Sequence, residues 1–263
     1  MCRYQYGVQL IIIKVGGSVL GDPNYQRNIC SQIDRIHSQM PELKILLVHG
    51  GGPAIAKHLK NADIEFEFFQ GQRKTSKEML SYLQAALWDD VNQSLASTLK
   101  STAERLCGFQ DKILHSIEVK ELGEVGEVSD VDIKKIDKAF EKNSLIVFCP
   151  LGIGAEGNML NINADNAALG LCKAIEKSEL IFISDTDGLL DKNNKVISKV
   201  YKEDIDRLAD EGVISGGMHV KCMAIKDALS GGGGSIRLLP GKKDGALLEL
   251  ILENKTDIGT EFI

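Results

Sequence analysis

The stretch "LLVHGGGPAIAKHL", residues 46–59, decides how the chain is read. An apolar run that reads as a strand meets a proline-led run that reads as a helix, with proline suited to the helix's first turn. Gly50, Gly51 and Gly52 lie at the junction. A tight turn explains three glycines, and so does a backbone kept bare for a ligand.

Apolar runs of the same kind recur outward from this point. "LIIIKV" (10–15), "KILLVH" (44–49), "LIVFCPL" (145–151), "LIFISD" (180–185) and "SIRLLP" (235–240) alternate with segments of helical period. Unbroken apolar runs fit strands covered on both faces in a mostly parallel sheet. The expected architecture is a three-layer αβα sandwich of the α/β class. Between the second and third runs, "TSKEMLSYLQAALWDDVNQSLASTLK" reads as a long helix. Thr75 and Glu78 stand there in capping-box spacing, and Met79, Leu83, Leu87 and Leu95 share one side. The following "KILHSIEVKELGEVGEVSDV" predicts an antiparallel hairpin region laid over one edge of the main sheet. "SGGGGS" at 230–235 falls between a helix and a strand and reads as a Gly-rich helix exit.

A second glycine junction, "KVGGS" at 14–18, follows the first run. Gly16 and Gly17 there allow close main-chain approach to a phosphate, with Lys14 as a point charge beside them. Two such junctions in neighbouring units meet on one rim of a parallel sheet, where open α/β folds bind ligands. "GIGAEG" (152–157) matches a dinucleotide fingerprint, but "NMLNINAD" intervenes before helical period resumes, so the pyrophosphate lacks its helix. No GxxxxGK[ST] run is present. Asn161, Asn163 and Asp165 cluster ahead of a helix, as an N-cap or as groups that orient a small polar substrate. "SDTDGLLDKNNKVI" carries Asp185, Asp187 and Asp191 without the twelve-residue calcium-loop pattern, and reads as a hairpin-like loop. Gly216 and Gly217 open a helix whose early turns hold Lys221. Two lysines, bare main-chain donors and one organising carboxylate together suit phosphoryl transfer.

Composition narrows the partners. The 37 acidic and 31 basic residues, net −6, form no basic block suited to nucleic acid or an anionic membrane. Six scattered cysteines form no CxxC pair and read as reduced core fillers of a cytoplasmic protein. Residues 8–13 are too short and too interrupted for a signal peptide, and no stretch is long enough to span a bilayer.

Taken as an ordered set, "IIIKVGGSV", "VHGGGPAI", "QGQRKT", "ELGEVGEV", "NMLNINADNAAL", "ISDTDGLLD", "ISGGMHVKCMAI" and "DIGTEFI" resemble the amino-acid kinase family from about residue 9 onward. The nearest likeness is to members that act on N-acetyl-L-glutamate. The resemblance implies the carbamate kinase-like version of this fold and ATP-dependent phosphorylation of a side-chain carboxylate, with Mg²⁺ carried on the nucleotide and no dedicated protein metal site. It implies an acyl-amino-acid lobe over about 1–178 and an ATP lobe over about 179–263.

Residue by residue, the resemblance assigns Lys14 to the transferring phosphoryl, Lys221 to the leaving ADP and Asp165 to holding both lysines. Gly17 and Gly52 donate N–H groups, with Gly16 beside them. Gly50 and Gly51 shape the substrate loop, Arg73 clamps the α-carboxylate, and Asn161 holds the same portion of the substrate. Ser184, Asp185, Asp187, Gly188 and Leu189, with Gly216, Gly217 and Met218, border the nucleotide. A side chain at Gly51 is expected to enter ligand space. "LCGFQDKIL" and "GQRKT" depart from the usual family texture on the acyl side, which leaves N-succinylglutamate and carrier-linked aminoadipate as other acceptors. About nine residues precede the first strand, too few for the extra N-terminal helix of arginine-inhibited relatives, so a homodimer without arginine feedback is expected.

Overall fold

A computed structural model describes residues 9–69, 71–231 and 234–263. Cys2, the length of the N-terminal segment and the centre of "SGGGGS" therefore lie outside the described residues. In chain order the strands are β1 (Leu10–Val15), β2 (Lys44–His49), the short β3 (Phe68–Phe69) and β4 (Gln72–Arg73), β5 (Glu104–Cys107), β6 (Leu114–Glu118) and β7 (Val125–Val131). They continue with β8 (Leu145–Cys149), β9 (Leu151–Ile153), β10 (Met159–Ile162), β11 (Glu179–Ser184), β12 (Lys199–Val200), β13 (Ile236–Pro240) and β14 (Thr260–Phe262). The helices are α1 (Gly17–Leu20), α2 (Pro23–Gln39), α3 (Gly52–Asn61), α4 (Leu80–Gln84), α5 (Gln93–Thr98), α6 (Ile133–Phe140), α7 (Ala164–Ala174), α8 (Ile205–Asp210), α9 (Gly216–Ser230) and α10 (Ala246–Ile251).

Eight strands form the central sheet in the order β12-β14-β13-β11-β1-β2-β8-β5. Every neighbouring pair is parallel except β13 and β14. The expected layers follow from the two-residue period of the strands. Ile12, Leu46 and Val48 point into a core shared with α7 and α9. Their neighbours Ile11, Ile13, Ile45 and Leu47 point into a second core under α2 and α10. Each fully buried isoleucine or leucine contributes about 1.5–3 kcal/mol, so neither face can be left wet. Helix α2 begins where Asp22 caps it, accepting the Asn24 N–H at 2.8 Å.

Three local expectations change. The region after α5 does contain an antiparallel hairpin of β6 and β7, but β9 and β10 join it and close a four-stranded barrel. Pro150 has no N–H for a ladder, so the apolar run 145–151 breaks there and its end leaves the main sheet as β9. The barrel interior is filled by Leu160 and Ile162, which fit because Gly126 and Gly152 add no side chain. Closure leaves no open hairpin edge.

The capping box is also absent. Thr75 is buried and its hydroxyl donates to the Arg73 carbonyl at 3.1 Å, leaving the helix to start after a 3₁₀ turn, Lys77–Met79. The long helix is moreover not uniform, because Ala85–Asn92, between α4 and α5, is π-helical. Such widened turns are rare and frequent at functional sites. The "GIGAEG" segment leads from β9 into β10, a strand, which removes the helix a dinucleotide fingerprint requires.

Candidate functional site

Strands β1 and β2 are neighbours in register from Leu10 against Lys44 to Val15 against His49, so their glycine ends emerge side by side. The loops interlock. A methyl group on Gly17 would sit 2.8 Å from the Gly52 nitrogen and 3.1 Å from the Gly51 nitrogen, and one on Gly50 would sit 2.8 Å from the Gly17 nitrogen. Only glycine at positions 17 and 50 allows this approach, which gathers three main-chain nitrogens at one rim. These loops border a cavity of ≈ 220 Å³ whose walls also include Lys14, Arg73, Asn161 and Asp165.

The cation side is organised by one carboxylate. Asn163 is the N-cap of α7, accepting the Asp165 N–H at 2.8 Å, so the ordinary capping role falls to Asn163. Asp165 sits in the first turn. Its Oδ1 is 2.5 Å from Lys14 Nζ, and its Oδ2 is 3.2 Å from Lys221 Nζ. Burial pushes the Asp165 carboxyl up, but the charges and hydrogen bonds of the two lysines outweigh it and hold the group below its ordinary value. The triad carries a net charge near +1 at neutral pH. Lys221 also lies 5.2 Å over the Phe182 ring.

Across the cavity, Arg73 on β4 is buried. Its guanidinium lies 3.9 Å over Phe66 and 4.7 Å over Phe68, and Nη2 donates to the Gly52 carbonyl at 3.3 Å. Desolvation lowers its pKa from the usual arginine value, though arginine stays charged in proteins. Nη1 is buried without a hydrogen-bond partner among the described residues. A buried unpaired donor costs about 1–3 kcal/mol, so an acceptor entering the cavity is favoured there. Asn161 is oriented through Thr75: its Nδ2 donates to Thr75 Oγ1 at 3.0 Å, while that hydroxyl is committed to the Arg73 carbonyl.

Lys14, Gly17, Gly50, Gly51, Gly52, Arg73, Asn161 and Asp165 thus share one cavity, and Lys221 joins through Asp165. Gly16 adjoins it, with its Cα hydrogen facing Lys14 Nζ. The remaining residues lie outside this cavity. Ser184 ends β11, next to β1 in the sheet, and Asp185 borders a separate hollow of ≈ 210 Å³ with Ser18, Tyr25 and Lys242. Gly188 and Leu189 pack on the C-terminal strand, where the Leu189 N–H donates to Thr260 Oγ1 at 2.8 Å. Asp187 is exposed in the same loop, and Gly216, Gly217 and Met218 form the first turn of α9. Among the described residues no group of three His, Cys, Asp or Glu stands where it could hold a metal ion. Among the same residues no helix is long and apolar enough to cross a membrane.

Sequence reading missed Thr75, Phe66 and Phe68 as the frame of Arg73. It also missed a buried pair behind the glycines, His49 and Asn92. Alternation of apolar and acidic residues from Ile64 to Phe68 was the available signal for the phenylalanines. Nothing local marked the other residues.

Comparison with known proteins bears on the family and the fold. Residues 9–239 match the model of the amino acid kinase family. The chain is 30% identical to the acetylglutamate kinase of Chlorobium chlorochromatii over 98% of its length and 91% of that protein. It is 32% identical to the acetylglutamate kinase of Clostridioides difficile over 95% of its length and 88% of that protein. Among solved structures, carbamate kinase from Giardia lamblia bound to AMP-PNP superposes with a TM-score of 0.68 at 15% identity, covering 98% of this chain and 99% of that one, a likeness of fold.

Proposed function

We infer the function from one premise: the chain belongs to the amino acid kinase family. On that basis we propose that it transfers the γ-phosphoryl group of ATP to the side-chain carboxylate of N-acetyl-L-glutamate, in arginine biosynthesis. The observation that carries this reading is the Lys14–Asp165–Lys221 triad set against a rim of convergent glycine nitrogens. A carboxylate is already ionised at neutral pH, so no general base is needed. One carboxylate oxygen attacks the γ-phosphorus, the bond to the β-phosphate oxygen breaks, and an acyl phosphate and ADP result. The task left to the protein is to bring two anions together and to stabilise charge on the phosphoryl in flight.

In this assignment Lys14 and the N–H groups of Gly17 and Gly52 face the transferring phosphoryl, and Lys221 faces the leaving ADP. Asp165 holds the two ammonium groups together and aimed, because without it they repel. Arg73 pairs its free Nη1 edge with the α-carboxylate, and Asn161 holds the acylamino portion. Gly50 and Gly51 shape that side. Mg²⁺ would come with the nucleotide and offset the charge of its phosphates; Asp165, committed to the two lysines, would not hold it. In this reading the acyl-amino-acid lobe runs to about residue 178. Residues 179–263 form the nucleotide lobe, with the 184–189 loop and the start of α9 bordering ATP.

A homodimer in the cytoplasm completes the proposal; five buried free cysteines among the described residues support the reducing compartment. Sedimentation equilibrium giving twice the 28.7 kDa chain mass checks the dimer.

The deciding assay measures ADP release with MgATP and traps acyl phosphate as hydroxamate, using N-acetyl-L-glutamate, N-succinyl-L-glutamate and free glutamate in parallel. Hydroxamate from N-acetyl-L-glutamate and none from free glutamate is expected. Hydroxamate from the succinyl compound alone would move the acceptor, and none from any would remove the kinase reading. Arg73→Lys should raise the KM for the acceptor about 10- to 100-fold with kcat changed far less, because lysine supplies neither the bidentate edge nor the planar stack on Phe66. Steady-state kinetics with the acceptor varied at saturating MgATP checks this.

A further inference from the structure

Behind the loop of Gly50, Gly51 and Gly52 runs a chain of hydrogen bonds that the proposed chemistry does not use. His49, the last residue of β2, is fully buried, as is Asn92 at the end of the π-helical turns. Asn92 Nδ2 lies 3.1 Å from His49 Nε2 and 3.2 Å from the Val147 carbonyl, and Arg105 Nε donates to Asn92 Oδ1 at 2.7 Å. Arginine has only donors, so Asn92 must turn its oxygen toward Arg105 and its NH₂ toward His49. His49 Nε2 is then the acceptor, which places the ring proton on Nδ1, 3.2 Å from the Gly50 carbonyl oxygen. The direction of every bond is fixed from Arg105 to Gly50.

The far end is also pinned. The Arg105 guanidinium stacks 4.0 Å over Trp88 and donates to the Trp88 carbonyl at 2.6 Å, and Nη1 bonds Gln93 Oε1. Burial, with the Arg105 charge nearby, pulls the His49 pKa down to about 4 against the opposing hydrogen bond to Gly50. The ring is therefore neutral at working pH, as a one-proton donor must be.

What this chain grips is a single peptide plane. The Gly50 carbonyl and the Gly51 N–H belong to one rigid trans unit, so fixing the oxygen fixes the direction of the N–H. Flanking glycines give that plane unusual freedom to rotate. We propose that His49 is a positioning residue that locks the Gly50–Gly51 peptide so that the loop presents its main-chain donors to the reacting groups, an assignment that rests on the kinase reading above.

The test compares His49→Asn with His49→Gln. The asparagine amide nitrogen stands near the place of Nδ1 and can still donate to Gly50, whereas the glutamine amide nitrogen stands near Nε2 and cannot. Loss of a preorganised donor falls on the transition state, so His49→Gln should lose about 30- to 100-fold in kcat with both KM values within about threefold of wild type. His49→Asn should recover to within about fivefold of wild-type kcat. Asn92→Leu, which leaves His49 in place but releases its tautomer, should fall between them. Thermal melting of all three reports any purely structural effect. Equal kcat in the two His49 variants, or losses that track Tm instead of the donor position, would overturn the positioning role. A wild type that phosphorylates no acylated glutamate would remove the kinase reading first, and this assignment with it.

Discussion

Asp165→Asn is expected to lower kcat/KM about 10³-fold while leaving a folded protein. The amide is nearly isosteric and α7 keeps its cap on Asn163, so the helix does not lose its start. What disappears is the negative charge between two ammonium groups, 2.5 Å from one and 3.2 Å from the other. Lys14 and Lys221 then repel, and an asparagine oxygen can satisfy only one of them. Two misaimed cations in one step are each worth more than a conventional surface charge, since the site is partly desolvated. Steady-state kinetics with hydroxamate trapping, beside circular dichroism, checks both halves of the expectation. Activity within tenfold of wild type would sink the role assigned to the triad.

The same carboxylate sets an acid limit. Its pKa is held below the ordinary carboxylate value in the folded protein, so its contribution to stability is complete above the unfolded value, about 3.9. That contribution is lost as pH falls through the lower, folded value. Urea midpoints for the wild type should drop more steeply than those of Asp165→Asn as pH falls below about 4, and the two curves should run parallel above about 5.

How much of this was readable beforehand depends on the range of the forces involved. The sheet was legible because β1, β2, β8, β11 and β13 carry consecutive apolar residues in place of in-and-out alternation, as burial on both faces requires. The meeting of Gly17 with Gly50 to Gly52 followed from adjacent parallel strands. The triad did not follow from local pattern, since Lys14, Asp165 and Lys221 come from three distant elements, and family resemblance supplied their pairing. Barrel closure was hidden for the same reason: it depends on β10 returning beside β7, a long-range pairing with no local mark. Thr75 misled because its spacing to Glu78 satisfies a capping rule, while its hydroxyl finds a better use between Arg73 and Asn161.

The reading of Gly51 as the position whose side chain would fill ligand space also needs correcting, and the correction yields the second large prediction. A methyl group on Gly51 would overlap Leu87 Cδ2 and approach Val91, both on the π-helical turns, so it first collides with a buried side chain of the cavity wall. One on Gly52 meets nothing within 4 Å, although Gly52 borders the cavity. Gly52 begins α3, and a side chain there meets open space at the cavity's edge, which the kinase reading gives to the phosphoryl group. Gly52→Val should therefore lower kcat/KM by about 10²- to 10³-fold, by displacing the reacting group from its donors, while Tm moves by no more than about 3 °C. Gly51→Val should instead cost about 1–3 kcal/mol of stability through overpacking and lower Tm by several degrees. Differential scanning fluorimetry and turnover measured on the same preparations separate the two. If Gly52→Val kept wild-type turnover while Gly51→Val lost it without loss of stability, the ligand would lie on the other side of this loop.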